Sequence, residues 1–136
     1  MSTFELEILT PDRLFFSGSV ESVIITGAGG QTEFLKGSMP LVADVADGPL
    51  KIKEGGKWRT AFTGNGFISV ESGLPVRILC ETAEWPEEIR AAEAERELKK
   101  AQELLNKQQS LREYKLAKAQ LARQLARLRI KNNITE

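Results

Sequence analysis

An all-β sandwich or barrel followed by an antiparallel two-helix hairpin, α+β overall, is the fold class that three features of this chain predict. All eleven glycines and all five prolines of its 136 residues lie at or before position 86. Turns depend on those two residues, and a stretch of 50 without either lets a helix run on. Ahead of that boundary, β-branched and aromatic runs alternate with turn signals at roughly the 8–12-residue spacing of a sandwich or barrel. Beyond it, apolar residues step by three or four, the helical period. The expected division is a β unit over residues 1–85 and a helical hairpin over residues 86–136.

Phe4-Glu5-Leu6-Glu7-Ile8 alternates apolar and acidic side chains, the mark of a half-buried strand. Thr10-Pro11-Asp12 turns the chain. Residues 20–26 form a second β-branched run, closed by Gly27-Ala28-Gly29-Gly30 as a loop turn. Leu50-Lys51-Ile52-Lys53 and Trp58-Arg59-Thr60-Ala61-Phe62 flank Gly55-Gly56, which reads as a hairpin turn. Gly66-Phe67-Ile68-Ser69-Val70 and Val76-Arg77-Ile78-Leu79-Cys80 complete the strands. No helical period interrupts them, which argues against a parallel α/β sheet.

Pro86 suits the first position of a helix, and Glu87 and Glu88 suit the positive end of its dipole. Ala91, Ala94, Leu98, Ala101 and Leu105 form one apolar stripe. Asn106-Lys107-Gln108-Gln109 breaks it, and Ser110-Leu111-Arg112-Glu113 has the capping-box pattern of a new helix. The second stripe is Leu111, Tyr114, Leu121, Leu125 and Leu128, with Ala117 and Ala122 beside it and Lys118 weakening its middle. Two helices of about 22 residues, each about 33 Å long, would pair antiparallel. Alanines allow close approach but bury little area. At about 25 cal/mol per Å² the seam is thin, so the hairpin is expected to open when another surface offers better burial.

The chain has no net charge, but its two parts differ. Residues 1–85 carry 7 Lys/Arg against 11 Asp/Glu, and residues 86–136 carry 12 against 8. Beyond Tyr114, six basic residues face only Glu136. A basic helical end suits an acidic partner; a solvated charged face is the plainer reading. Nucleic acid is not the expected partner, because no aromatics accompany those cations to stack on bases.

Histidine is absent, and with it the commonest general base, the commonest zinc ligand and any Cys–His nucleophile pair. The glycine cluster at 27–30 has no Gly-Lys-Ser/Thr after it to make a phosphate loop. Carboxylates alternate on strand exteriors or lie on helix faces, where water solvates them. Cys80, the sole cysteine, is in register with Val76 and Ile78. A buried inert thiol is expected, with no internal disulfide, which fits a reducing compartment. No run approaches the ~20 apolar residues of a membrane span. The strand pattern starts directly after Met1-Ser2-Thr3, so no leader is expected. The chain reads as a non-catalytic interaction protein without cofactor or metal, linked to a membrane only through a partner.

Several short stretches point one way when taken in order. Phe4-Glu5-Leu6-Glu7-Ile8-Leu9-Thr10-Pro11-Asp12-Arg13 is an opening strand with a T-P-x-R turn. Phe16-Ser17-Gly18 and Val20-Glu21-Ser22-Val23 follow. Gly37-Ser38-Met39-Pro40-Leu41 stands in a G-H-x-P-L position, and Gly66-Phe67 ends a G-G-F element. Thr82-Ala83-Glu84 ends the sandwich, and Ala126-Arg127-Leu128-Arg129-Ile130 closes the second helix. In this order, over nearly the whole chain, they resemble the epsilon subunit family of the F-type (proton-translocating) ATP synthase.

The resemblance implies a central-stalk rotor subunit. Its partners would be the gamma subunit, the ring of c subunits, and the alpha and beta subunits. It would sit peripherally on the cytoplasmic face of a bacterial plasma membrane, within the complex. The sandwich would couple gamma to the ring, with contact at Gly30, Gln31, Thr32, Ser38 and Met39. The family pattern G-E-x-G-V-L-P-G-H is altered there, lacking its second Gly, its Pro and its His; a coevolved ring or a reshaped loop would account for that. The tail would restrain ATP hydrolysis as Lys115, Lys118, Arg123, Arg127 and Arg129 meet an acidic loop of the beta subunits. Some bacterial members bind ATP through an I/L-D-x-x-R-A motif. Here Ile89-Arg90-Ala91-Ala92-Glu93-Ala94 has the acid and base exchanged, which implies at most a weakened site at Glu84, Arg90, Arg123 and Arg127. The alternative reading is a coiled-coil-hairpin adaptor or chaperone-like factor, although the expected tip, residues 106–110, is amide-rich rather than acidic or apolar.

Overall fold

A computed structural model describes residues 2–107 and 111–132, leaving the side chains of 106–107 and 111–114 outside the description. The chain separates into two compact units, Met1–Trp85 and Pro86–Glu136.

The first unit contains ten strands: β1 (Phe4–Leu9), β2 (Leu14–Val20), β3 (Ser22–Gly27), β4 (Gly30–Phe34), β5 (Leu41–Val45), β6 (Gly48–Glu54), β7 (Lys57–Thr63), β8 (Gly66–Val70), β9 (Val76–Cys80) and β10 (Ala83–Glu84). They form two five-stranded sheets, ordered β2-β1-β9-β8-β5 and β10-β7-β6-β3-β4. The β1–β9 pair is parallel, which joins the start of the unit to its end. Inward positions of both sheets close on one core of Leu6, Ile8, Val23, Leu50, Ile52, Ile68 and Ile78, all with no solvent exposure. This is the expected sandwich.

Its turns follow from their residues. Thr10 Oγ1 accepts hydrogen bonds from the N–H groups of Asp12 (3.3 Å) and Arg13 (3.2 Å), closing the β1–β2 reversal. Gly55 and Gly56 adopt φ of 54° and 78°, a conformation that side chains resist, and so make the β6–β7 hairpin tight. Cys80 is buried, and burial pushes its thiol pKa up to about 11. It is the inert thiol expected.

One strand assignment from the sequence needs correction, and three strands are added to it. Residues 20–26 are not one strand: Val20 ends β2 and Ser22 begins β3, with the chain crossing between sheets at Glu21. β2, apart from Val20, and β4 and β5 are strands that the sequence pattern did not mark. All three are sheet edges. An edge strand need bury little, and β4 shows it, with Gly30, Gln31, Thr32 and Glu33 all exposed.

The second unit opens with a 3₁₀ turn, Pro86–Glu88, closed by the Ile89 N–H bonding to Pro86 O at 3.2 Å. α1 (Ala91–Lys107) then begins five residues later than expected, and α2 (Leu111–Asn132) follows. Ile89, between the 3₁₀ turn and α1, is buried. α1 is thus 17 residues long, about 26 Å rather than 33 Å. The Lys131 ammonium donates to Pro86 O at 3.2 Å, so the end of α2 returns to the start of the unit, as an antiparallel hairpin requires. Ser110, the expected cap, lies outside the described residues, as do the side chains of Leu111 and Tyr114.

The α1 stripe is as expected, with Ala94 and Ala101 fully buried and Ala91, Leu98 and Leu105 half-buried. The α2 seam is not. Leu125 is 39% exposed, whereas Gln124 and Arg127 are buried at 6% and 8%. The inward line steps through Ala117, Leu121, Gln124 and Leu128, and Leu125 is one residue, about 100°, off it. Lys118 is exposed because Ala117 takes the seam position.

Candidate functional site

The outer face of the first sheet carries an apolar row that sequence reasoning missed. Leu14 of β2 pairs with Leu9 of β1, Leu9 with Leu79 of β9, and Leu79 with Phe67 of β8. Their side chains point away from the core. Leu14 is 54% exposed, Phe67 43% and Leu79 39%. With neighbouring strands about 4.8 Å apart, the row spans about 14 Å. The next row is polar: Ser17, Glu7, Arg77 and Ser69, with the Arg77 Nε–Glu7 Oε1 ion pair at 2.9 Å. Val42 of edge strand β5 ends that row at 70% exposure. An apolar strip bordered by an ion-paired one is the anatomy of a docking surface. The sequence signal was a break in alternation, since Leu9, Phe67 and Leu79 occupy outward positions that a solvated sheet fills with polar residues.

The expected ring-contact residues do not form a single loop. Gly30, Gln31 and Thr32 are strand residues of edge β4, paired with Gly27, Thr26 and Ile25 of β3. Ser38 and Met39 follow the other end of that strand. Ser38 closes its own turn: its Oγ accepts from Leu35 N–H at 3.0 Å and donates to Leu35 O at 2.8 Å. Gly37 provides a φ of 85°. A serine and a glycine thus shape the turn without the Pro and His of the family pattern. Met39 is 78% exposed beside it.

The five cations of α2 divide between two faces. At 100° per residue, Lys115, Lys118 and Arg129 share an arc of about 60°, and Arg123 and Arg127 point about 80° or more away from it. The first three are exposed. Arg123 is half-buried. Arg127 is buried, its Nη1 donating to Gln124 Oε1 at 2.9 Å. In this closed hairpin the five cations expected to meet an acidic loop therefore do not share one surface.

Of the residues expected at a weakened ATP site, Glu84 pairs with Phe62 in β10, within the first unit. Arg90 stands just before α1, where its carbonyl accepts the Ala94 N–H at 3.0 Å, and its side chain is exposed. It is therefore a cap residue and not a helical one. Among the described residues, no helix is long and apolar enough to cross a membrane.

Comparison with known proteins agrees with the sandwich and its two helices. Residues 3–86 match the family model described as the beta-sandwich domain of the ATP synthase delta/epsilon chain. The chain is 44% identical over 135 residues to the ATP synthase epsilon chain of Caldanaerobacter subterraneus subsp. tengcongensis, covering 98% of this chain and 97% of that one. It is also 44% identical over 132 residues to the epsilon chain of Ruminiclostridium cellulolyticum, covering 97% and 98%. Its fold resembles a chain in the cryo-EM structure of the Euglena gracilis mitochondrial ATP synthase, with a TM-score of 0.79 at 21% identity, covering 93% of this chain and 79% of that one. With its sandwich matched throughout and its helices inside the aligned length, this chain belongs to the ATP synthase epsilon chain family.

Proposed function

We propose that this chain is a non-catalytic central-stalk subunit that joins the gamma subunit to the c-ring and restrains ATP hydrolysis through its helical unit. The apolar row on the outer face of the first sheet is the observation that carries the docking half. The gamma subunit covers that row, and edge strand β4 with the Ser38-Met39 turn meets the ring. The chain works peripherally on the cytoplasmic side, held there by the complex, and catalyses no reaction itself.

The restraint follows from a hairpin held by little. The buried apolar side chains of α1 and α2 are Ala94, Ala101, Ala117 and Ile130 among the described residues. Each alanine methyl contributes only about 0.8 kcal/mol, and Ile130 about 1.5–3 kcal/mol. Opening α2 costs correspondingly little, and it brings the Lys115, Lys118 and Arg129 face to an acidic loop of the beta subunits, beside the alpha subunits.

The reconstituted complex tests both halves. A chain ending at Trp85 should assemble and raise ATP hydrolysis about threefold or more, since docking needs only the sandwich. Lys115→Glu with Lys118→Glu and Arg129→Glu should reproduce most of that rise, and the difference should shrink as salt increases from about 0.05 to 0.3 M. Unchanged hydrolysis in the truncated complex would sink the restraint. A truncated chain that fails to assemble would sink docking by the sandwich alone. Arg123→Glu with Arg127→Glu should change the rate less, because burial of Arg127 makes the reversal weaken the closed hairpin as well as the open contact.

We further infer that MgATP binds more weakly than about 1 mM, worth less than ~4 kcal/mol. Arg90 replaces the family's acid in the motif and is a cap residue, and Arg127 already donates to Gln124. Titration calorimetry on the full chain would decide this, and a micromolar site would overturn it.

A further inference from the structure

The first unit ends on a side chain gripped from several directions. The Trp85 indole stacks on Phe15 of β2, with centroids 4.6 Å apart and planes 25° apart. Phe16 meets it edge-on at 6.4 Å. The guanidinium carbon of Arg59, on β7, stands 3.8 Å from the indole centroid. Two groups that close cannot share one face of the ring, so Phe15 and Arg59 sandwich it. Phe15 belongs to one sheet and Arg59 to the other, so the indole ties the two sheets together. Just upstream, Ala83 and Glu84 of β10 pair with Thr63 and Phe62 of β7. Arg13 Nη2 donates to Ala83 O at 3.3 Å. Pro86 comes next, with no N–H to extend that ladder, and its carbonyl closes the 3₁₀ turn instead.

We propose that residues 83–85 are a fixed anchor and that motion of the helical unit begins at Pro86. This rests on the reading that the helical unit opens in the complex. Ring stacking and the cation over the opposite face hold Trp85 on the sandwich in either state of the tail. The anchor also insulates the docking surface. Phe15 is the chain neighbour of Leu14, the first side chain of the apolar row. A loose Trp85 would pass tail motion along β2 into that row; a clamped one stops it.

Hydrogen exchange on the full-length isolated chain tests the anchor directly. Amides of residues 82–84 should exchange about tenfold more slowly than those of residues 87–90. Trp85→Ala should erase about tenfold of that protection while β8 and β9 keep theirs, and Trp85→Phe, which retains stacking, should preserve most of it. Equal exchange on both sides of Pro86, or an unchanged profile in Trp85→Ala, would overturn the anchor.

A cross-strand disulfide provides a second measurement should Trp85→Ala unfold. Gly64 N–H donates to Thr82 O at 2.9 Å, so Thr63 and Ala83 form the neighbouring non-hydrogen-bonded pair, where side chains lie close enough to bridge. In the reconstituted complex, Thr63→Cys with Ala83→Cys should restrain hydrolysis equally when oxidised and reduced, within about 1.5-fold. A change of about threefold or more, reversed by reductant, would mean that β10 must peel away, and the anchor would fall. The exchange experiment does not involve hydrolysis, so a failed restraint and a failed anchor give different results.

Discussion

Leu14→Lys with Phe67→Lys is expected to leave the fold intact and to weaken binding to the gamma subunit about 1,000-fold, equivalent to ~4 kcal/mol. Both side chains are already about half exposed, so neither substitution removes anything from the core. Lysine at 67 also gains a neighbour, since Phe67 pairs with Asp44 across β5–β8, and an opposite-charge pair there supports the sheet. The two new ammonium groups lie three strands apart, about 14 Å, beyond the ~8 Å screening length of physiological salt. The isolated chain therefore tolerates them. A docked chain does not, because each ammonium must lose its water at the centre of an apolar contact. Titration of the gamma subunit with each variant, alongside circular dichroism, separates the cases. Undiminished binding would place the docking surface elsewhere, and a lost β signal would make the row structural.

That row illustrates where sequence reading stops. Alternation identified the inward residues Phe4, Leu6, Ile8, Val76 and Ile78; the last four are buried, and Phe4 is partly buried against the same core. Period 2 is a strong signal because one misplaced residue moves from core to water. The same rule assigns Leu9, Phe67 and Leu79 to the outer face, but their alignment into one row depends on register between strands far apart in the chain. β1 meets β9 across some seventy positions, and nothing local announces that pairing. The edge strands escaped for the opposite reason. β4 is polar and exposed along most of its length, so it has no burial pattern to detect, and its hydrogen bonds to β3 alone make it a strand.

The helical unit was legible in its place in the chain and its alanines, and not in the start of α1 or in its seam. Leucines at 121, 125 and 128 suggested one stripe, yet the packed line runs through Gln124 and leaves Leu125 39% exposed. A polar side chain can take a seam position when it is hydrogen-bonded there, as Gln124 is to Arg127. Composition ranks leucine above glutamine at every such position; only the partner reverses the order. The charge pattern was similarly half legible. The excess of cations on α2 is a fact of the sequence, whereas their division between an exposed face and an enclosed one follows from which side of the helix packs.

Gly66→Ala is expected to cost about 3 kcal/mol or more and to lower the melting temperature by about 12 °C or more. Gly66 opens β8 opposite Cys80 of β9, and the two strands approach closely there. A Cβ at Gly66 would stand 1.9 Å from Leu79 O and 2.6 Å from Cys80 Cα. Both are backbone atoms, so no rotamer change relieves the overlap, and β8 must pull away from β9. The conformation itself asks nothing unusual, as Gly66 is not among the glycines with positive φ. The requirement is therefore for space alone, and Gly66→Ser should fail as badly. The damage also falls where the docking row crosses from Leu79 to Phe67, the two residues flanking the contact. A chain that still folds at low temperature should consequently bind the gamma subunit poorly even after its loss of stability is accounted for. Gly37→Ala gives the comparison, since Gly37 has φ of 85° but no atom within 4 Å of an added Cβ, so its cost should stay near the ~1 kcal/mol of a left-handed alanine. Thermal unfolding of the two variants decides it. Equal melting temperatures would show that the close backbone approach at Gly66 is not what makes glycine necessary there.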